Sequence, residues 1–336
     1  IHASPTCTLK YGENGGAVGY LVGQENRGLA AMFIMMNAAR LAVGLQGVAL
    51  ADRATQQAIA YANERTQGRG PRAKRGEMSP IIEHADIRRT IMKMRAATCA
   101  ARAICLVTAR ELDIAERAGT KEEREAAHMR AALLTPVAKA YSTDIGVEVA
   151  SLGVQVHGGM GYVEETGAAQ YYRDARILPI YEGTNGIQAI DLVTRKLPLG
   201  DGAVAASLIE ELAETVEEVR ASNRPEFGRM AERLGDAVDA SKRASLWLGE
   251  QMQDNPEAAL AGATPYLRLF GLTAGGVYLA RGALLAARDN GGAAGARVTL
   301  ARVWAETEVA LAPGIAAQIT EGADGVLAMP IERLSA

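Results

Sequence analysis

Hydrophobic residues recur at helical spacing through most of the chain. Over residues 85–118 they alternate four and three positions apart, in the series Ile87, Ile91, Met94, Thr98, Ala101, Cys105, Thr108 and Leu112. This alternation is typical of a helix in an antiparallel bundle. A capping box of Thr120 and Glu123 then predicts another helix to about Gln155, with a buried stripe of Leu133, Val137, Tyr141 and Ile145.

Two further helices complete this pattern. Asn26 can cap a long apolar helix that runs to about Arg65, and a shorter helix is expected from about Thr184 to Arg195. The four helices predict an up-down four-helix bundle over residues 26–197. We therefore expect a fold that is mainly all-α.

The regions that flank this bundle differ from it. Residues 1–25 hold two strand-like runs, Ile1–Gly12 and Ala17–Val22, which predict a short β-hairpin. Because no partner strands follow, we expect this hairpin to be the remnant of a β-domain, and the chain to be the C-terminal part of a longer protein.

Residues 203–336 predict a second helical domain, which suggests packing or oligomerisation and no chemistry. Its helices are expected near 203–221, 225–253, 256–288 and 293–320. Five glutamates indicate a solvated face on the first helix, and four glycines of the third predict close helix contacts: Glu210, Glu211, Glu214, Glu217 and Glu218, and Gly271, Gly275, Gly276 and Gly282.

Composition narrows the class of protein. Apolar residues make up 49% of the 336 residues but aromatic residues only 4%, which favours packed helices over sheets. The net charge of −3 gives no reason to expect nucleic acid as a partner. No uninterrupted apolar run is long enough to span a membrane. Cys7, Cys99 and Cys105 fit no metal spacing, and reduced, buried thiols in the helical run indicate a reducing, cytoplasmic setting.

The segment that ends at Glu182 carries the main candidate for chemistry. Its approach, Ile177–Tyr181, is apolar, and a carboxylate placed there is costly unless it is used. Gly183 and the small residues after it let another molecule lie close to the backbone. A catalytic base is one interpretation, since desolvation moves the pKa of a base towards the operating pH. The alternative is a simple N-terminal charge favoured by the helix dipole.

Other polar residues leave two interpretations open. Arg40 lies with Asn37 on an apolar helix, so it either pairs with an internal carboxylate or reaches a ligand anion. Arg65 either complements the end of its helix or, with Gln67, meets a phosphate. The glycine turn at His157–Gly161 follows a helix, which argues against a Rossmann dinucleotide site, and we expect His157 to have a structural role.

Four motifs resemble those of the acyl-CoA dehydrogenases. They are ER-x-Q-G at Glu64–Gly68, Q-x-x-GG at Gln155–Gly159, RDARI at Arg173–Ile177 and YEGTNGIQ at Tyr181–Gln188. The likeness covers roughly residues 17–197. The sequence of Met35–Gly47 is similar to that of a long subfamily with an extra C-terminal helical domain.

This resemblance implies an FAD-dependent enzyme that converts an acyl-CoA to a trans-2-enoyl-CoA. Glu182 would take the α-proton, its backbone N–H would polarise the thioester carbonyl, and hydride would pass to the flavin. The cofactor contacts that it implies are Arg65 and Gln67 across a subunit interface, Gln155 and Gly159 near the adenine, and Thr184 at the flavin. Arg40 and Gly183 would lie at the substrate.

The chain also departs from the family pattern. Many members have Phe-Gly in place of Gln67–Gly68, and a glutamine in place of Gly186. The N-terminal helical domain and most of the middle β-domain are missing from the sequence, so we expect the 336 residues alone to bind FAD weakly and to turn over little.

Partners are implied by the resemblance only. They are an acyl-CoA substrate, electron-transferring flavoprotein as electron acceptor, and further copies in a homodimer or homotetramer. Two alternatives stay open: an acyl-CoA oxidase that uses oxygen, and a non-catalytic helical assembly module.

Overall fold

The computed structural model describes residues 1, 3–71, 73–288 and 294–334, most of which are helical. Within these ranges there is no β-strand, and the one β-bridge joins Thr66 to Pro80. The α-helices are α1 (Gly28–Glu64), α2 (Ala85–Arg117), α3 (Lys121–His157), α4 (Gly159–Tyr162), α5 (Ala168–Ile177), α6 (Asn185–Asp191), α7 (Ala203–Ala221), α8 (Met230–Asp254), α9 (Pro256–Ala261), α10 (Ala263–Arg288), α11 (Ala294–Thr307), α12 (Ala312–Glu321) and α13 (Ala323–Ala328).

Helices α1, α2 and α3 pack side by side in up-down-up order. α1 and α3 run parallel and very close together, because a Cβ on Gly44 would lie 2.5 Å from the Ala138 carbonyl oxygen. At their far ends the rings of Tyr61 and His157 stack with centroids 4.4 Å apart. α2 is antiparallel to α3 and packs against both α3 and α1.

The predicted periodicity of α2 and α3 is confirmed. Six of the eight seam positions on α2 are buried, and the end positions Ile87 and Leu112 are half-buried. The stripe of α3 is fully buried. The capping box is confirmed too: the Glu123 N–H donates to Thr120 Oγ1 at 3.2 Å and the Thr120 N–H donates to the Glu123 carboxylate at 3.2 Å.

The fourth predicted helix is short. It consists of α6 and one π-helical turn, Leu192–Lys196, and it packs mainly on α3 and α10. The bundle half of the chain is thus built on three long helices, and α10 from the C-terminal half lies against α2, α3 and α6. Hydrophobic side chains of both halves form one continuous core, for example Ile104, Leu133, Phe270 and Trp304.

The helices of the C-terminal half are more broken than the sequence predicts. The helix expected over 256–288 divides at Gly262 into α9 and α10, and that over 293–320 is interrupted by the short turn Val309–Leu311. Four of the five glutamates on α7 are exposed as predicted. Glu211 is different, because it is half-buried and pairs with Arg130 of α3 and with Arg281 of α10.

Glycines on α10 let this helix approach the bundle. A Cβ on Gly271 would lie 2.4 Å from the ring of Tyr141, and one on Gly275 would lie 3.0 Å from the Ala100 side chain. Close contact at these positions is confirmed. The same prediction is wrong for Gly282, where no atom of the described residues lies within 4 Å of the Cβ position.

The predicted N-terminal hairpin is wrong. Residue 1 and residues 3–25 form no strand in the structure, and their apolar side chains, such as Val18 and Tyr20, are exposed. An isolated hairpin is marginal because it has no sheet or helix on which to bury its apolar face. Asn26 also does not cap α1: it is left-handed with φ of 61°, and Arg27 takes the capping position without a side-chain bond.

Two helices within the described ranges are long and apolar enough, by length and composition alone, to cross a membrane, although polar residues interrupt the apolar run of each. They are α1 and α10. α10 is mostly buried among its neighbours, so the core accounts for its composition. The first turns of α1 instead expose a run of large apolar side chains: Leu29, Met32, Phe33, Ile34 and Met35.

Candidate active site

Glu182 lies in a left-handed turn that connects the α5 segment to α6. Its φ is 56° and that of Gly183 is 82°. The left-handed region is costly for a residue with a Cβ and is kept where the surroundings hold it. Two bonds hold this turn: the Asn185 N–H donates to the Pro179 carbonyl at 2.9 Å, and Thr184 Oγ1 accepts from the N–H of Ile187 at 3.3 Å as the cap of α6.

Glu182 is half-buried. Within the described residues its carboxylate has no hydrogen bond or ion pair, and the Glu182 backbone N–H also donates to no protein acceptor. A carboxylate and an N–H that are both free, on one turn, suit a ligand that offers both a proton and an acceptor.

Lys139 of α3 lies beneath this turn and is fully buried. Its Nζ donates to the Gly183 carbonyl at 2.8 Å and to Asn185 Oδ1 at 2.9 Å. Its pKa is lowered to about 8, mainly by burial and also by the charge of Arg40, while the charges of Asp144 and Glu182 oppose this shift. We did not predict this residue from the sequence, although one signal was there. Lys139 is the only charged residue between positions 130 and 144 of a buried helix.

Asn185 extends this network into α3. Its Nδ2 donates to the Ala140 carbonyl at 3.1 Å, to Thr143 Oγ1 at 2.9 Å and to Asp144 Oδ1 at 2.7 Å. Every polar atom of the Asn185 side chain therefore faces a partner on α3, which ties the start of α6 to that helix.

Arg40 approaches the turn from α1, and the structure answers the question that the sequence left open. It is buried and pairs with Asp191 of α6, Nη1 to Oδ2 at 3.6 Å, with Asn37 Oδ1 at 3.5 Å. The pairing is incomplete, because its Nε is buried without a hydrogen-bond partner. Its Nη2 lies 3.8 Å from the position of a Cβ on Gly183, so the guanidinium also borders the turn.

Gln188 fills the space behind Gly183. A Cβ on Gly183 would lie 2.7 Å from Gln188 Nε2, so a larger residue would collide in addition to the strain of its positive φ. Gln188 is fully buried, its Nε2 donates to the Glu182 and Gly183 carbonyls at 3.4 Å, and its Oε1 has no partner.

The other predicted residues lie at the far end of the helices. Arg65 follows α1, Gln155 is in the last turn of α3, and Gln67 and Gly159 lie just beyond these ends. All four are exposed, and the three side chains have no protein partner within the described ranges. His157 is buried and its Nδ1–H donates to the Gly153 carbonyl at 2.7 Å, which agrees with the structural role expected for it.

The predicted site residues therefore form two separate groups. Glu182, Gly183, Thr184 and Arg40 lie near the middle of α3, at Lys139. Gln155 is 16 residues further along that helix, about 24 Å at 1.5 Å per residue.

Comparison with protein families decides what this arrangement belongs to. Residues 26–197 match the family model described as acyl-CoA dehydrogenase, C-terminal domain. The chain belongs to the acyl-CoA dehydrogenase family. Residues 208–330 match a second model, described as acetyl-CoA dehydrogenase C-terminal like.

Individual relatives agree with this membership. The 3-methylmercaptopropionyl-CoA dehydrogenase of Ruegeria pomeroyi is 43% identical over 97% of this chain and 56% of its own length. The chain spans about half the length of the curated relatives that it matches. Two solved structures share the fold. Caenorhabditis elegans ACDH-11 in complex with C11-CoA has a TM-score of 0.72 and 19% identity, and the match covers 91% of this chain and 49% of that one. An acyl-CoA dehydrogenase of Bacillus anthracis complexed with FAD has a TM-score of 0.70 and 20% identity, and the match covers 90% of this chain and 51% of that one.

The residues of this acyl-CoA dehydrogenase chain fit a flavin dinucleotide in their chemistry. Arg65, Gln67 and Gln155 present polar side chains that have no hydrogen-bond partner among the described residues. The backbone at Gly158 and Gly159 is open, with no atom within 4 Å of either Cβ position. Thr184 Oγ1 accepts a bond from the Ile187 N–H and keeps its own proton to donate.

Proposed function

We propose that this chain supplies the catalytic base of an FAD-dependent acyl-CoA dehydrogenase. The observation that carries the proposal is Glu182: a half-buried carboxylate with no partner among the described residues, on a left-handed turn. A merely structural glutamate would be expected to bond to the helix that follows it, yet Thr184 caps α6 instead.

In this proposal Glu182 removes the α-proton of an acyl-CoA thioester. Its carboxylate accepts that proton, and its backbone N–H donates to the thioester carbonyl, where negative charge develops as the proton leaves. Both groups come from one residue, so the turn that fixes the carboxylate also fixes the oxyanion donor. When bound, FAD supplies the acceptor for the hydride that leaves the β-carbon, and the product is a trans-2-enoyl-CoA.

Arg40 and Gly183 take the substrate side of this site. Gly183 keeps the backbone accessible, since no side chain projects from the position next to the base. Arg40 brings a positive charge beside the turn, which favours the negative charge that develops on the substrate. Its Nε, buried without a partner, supports a role beyond the ion pair with Asp191.

The group formed by Arg65, Gln67, Gln155 and Gly159 would hold the phosphate and adenine end of FAD. The distance of about 24 Å along α3 supports the expectation that Arg65 and Gln67 serve a flavin of a neighbouring subunit. The exposed apolar side chains of α1 support an extensive partner surface, in a homodimer or homotetramer or against further domains of the same protein.

The decisive experiment compares the full-length protein that carries this chain with its Glu182→Gln variant. Flavin reduction by a panel of acyl-CoA thioesters is followed anaerobically through the loss of the visible absorbance of oxidised flavin. We expect the variant to keep its flavin and to lose reduction by about a hundredfold or more. Glu165→Gln is the control, because Glu165 is exposed and lies in the short 3₁₀ turn Glu164–Thr166 before α5.

Equal reduction by wild type and Glu182→Gln would show that the base lies elsewhere. Protein that stays free of flavin in excess FAD would favour a helical assembly module. Reoxidation of the reduced wild-type protein by electron-transferring flavoprotein or by oxygen then separates a dehydrogenase from an acyl-CoA oxidase.

A further inference from the structure

We infer that Lys139 is a positioning residue, whose buried ammonium holds the Gly183 carbonyl and Asn185 and so fixes the left-handed turn that presents Glu182. The inference deepens the proposed function and rests on it, since that function gives Glu182 its role as the base. Lys139 touches the turn from behind and is assigned no contact with substrate or flavin.

Burial of the Lys139 ammonium is energetically costly. Lys139 has no exposed surface, and its neighbours Leu133, Leu134 and Val137 on α3 are fully buried apolar residues. An apolar residue of similar volume would pack there without the desolvation penalty of an ammonium. The core does not require a charge at this place, so the reason for the lysine lies in what its Nζ contacts.

The groups that accept hydrogen bonds from Lys139 lie in the turn that presents Glu182. Nζ bonds at 2.8 and 2.9 Å to Gly183 and Asn185, the residues that follow Glu182 on either side of the cap Thr184. Without Lys139 the Gly183 carbonyl would keep only the bond of 3.4 Å from Gln188. Charge-assisted bonds are about twice as strong as neutral ones, so Lys139 makes the strongest attachment of this turn to α3.

Charged groups from several elements surround Lys139. Asp144 of α3, Glu182 of the turn and Arg40 of α1 face Lys139, and Arg40 is itself paired with Asp191 of α6. With its pKa lowered to about 8 by burial, Lys139 loses its charge near that pH, and its bonds to the turn weaken. The turn is therefore expected to loosen as the pH rises through this range.

Hydrogen exchange of the full-length protein tests the inference without reference to activity. The probe is the peptide over residues 178–192, whose Asn185 and Gln188 N–H groups are bonded in the turn and in α6. We expect Lys139→Met to reduce protection there by about tenfold or more, with α2 and α10 unchanged. Lys93→Met is the matched control: Lys93 bonds Glu148 at 2.8 Å and Glu308 at 3.1 Å, away from the turn.

A kinetic measurement accompanies the exchange. If the turn positions the base, Lys139→Met lowers kcat about tenfold or more, while KM changes less than about threefold and the flavin stays bound. Unchanged protection and unchanged kcat in Lys139→Met would overturn the inference. If Lys139→Met loosens the turn but the wild-type protein reduces no acyl-CoA, the proposed function fails and only the anchoring of the turn by Lys139 remains.

The wild-type protein provides a test that needs no variant. Protection of the peptide 178–192, corrected for the intrinsic rate of exchange, is expected to fall between about pH 7 and about pH 9.5. Protection that stays constant over this range would contradict the role of the ammonium, even if Lys139→Met failed to fold.

Discussion

The Glu182 turn and the contact of α10 with the bundle both join distant parts of the chain, but by opposite means. The turn is left-handed, is attached by hydrogen bonds to carbonyl and amide groups, and contains a carboxylate that has no partner in the part of the chain that the structure describes. The α10 contact is regular helix on regular helix, with Gly271 against the ring of Tyr141 and apolar side chains around them.

The Glu182 turn lowers the stability of the folded state, whereas the α10 contact raises it. Strained backbone and buried charge destabilise the folded state, so they persist where function needs them and the surroundings hold them. Burial of apolar surface at the α10 contact stabilises the fold, at roughly 25 cal/mol per Å². The C-terminal half thus supports α3 and α6, the helices that carry the turn.

The two regions also use charge differently. At the turn, Lys139 and Arg40 are buried and face backbone carbonyls or a buried carboxylate. Around the α10 contact, charges lie at the rim, as in the pairing of half-buried Glu211 with Arg130 and Arg281. Rim pairs contribute little to stability, whereas buried cations fix geometry at a cost.

The strongest way to break the α10 contact is Gly271→Leu. A Cβ at this position would lie 2.4 Å from the ring of Tyr141, which is buried. Overpacking of this kind typically costs 1–3 kcal/mol, and we expect about 3 kcal/mol for leucine. Urea denaturation followed by circular dichroism measures the free energy of unfolding.

Gly282→Leu on the same helix is the control. Among the described residues no atom lies within 4 Å of its Cβ position, so the variant should gain stability, by up to about 1 kcal/mol, from the better helix propensity of leucine. If both variants lost the same stability, the loss at Gly271 would reflect the helix itself and not its contact with Tyr141.

The comparison also explains what the sequence could predict. The seam of α2, the buried stripe of α3 and the capping box are periodic or local patterns, and all three are confirmed. The glycines of α10 signalled close packing because small residues inside a helix usually serve it. Gly282 shows the limit: a glycine on the exposed face gives the same signal in the sequence.

What the sequence failed to predict depends on contacts between distant residues. The strand-like run at Ala17–Val22 forms no hairpin, because strands need partners that a local pattern cannot supply. Lys139 went unnoticed since its acceptors, Gly183 and Asn185, lie more than forty positions away along the chain. The separation of Glu182 from Arg65 and Gln155 likewise follows from helix length and direction, which motifs do not encode.

Lys139 makes the free energy of unfolding depend on pH. Its pKa is about 8 in the folded protein and about 10.5 when unfolded. Between these values the unfolded chain binds more protons, so the contribution of Lys139 to the free energy of unfolding rises with pH, whereas below 8 the cost of its buried charge is complete. We expect wild type to gain about 2 kcal/mol over Lys139→Met between about pH 7.5 and about pH 10, measured by urea denaturation.

That gain is opposite in direction to the loosening of the turn expected over the same range. Global stability would rise while local protection falls, because the desolvation cost is relieved as the charge-assisted bonds weaken. A stability difference that does not vary with pH would show that Lys139 has the same protonation in both states and would remove the basis for both effects.

The smallest effect is expected at the rim of the α10 contact, for Glu211→Gln. Glu211 is the one glutamate of the α7 series that meets both Arg130 and Arg281, while Glu210 beside it is exposed. The amide keeps the shape and loses the charge, so we expect a loss of about 1 kcal/mol for Glu211→Gln and less than about 0.5 kcal/mol for Glu210→Gln, both in low salt. The difference should shrink when salt is added, because the pairs remain partly solvated. A loss at Glu211 as large as that of Gly271→Leu would mean that charge, and not close packing, joins the two halves.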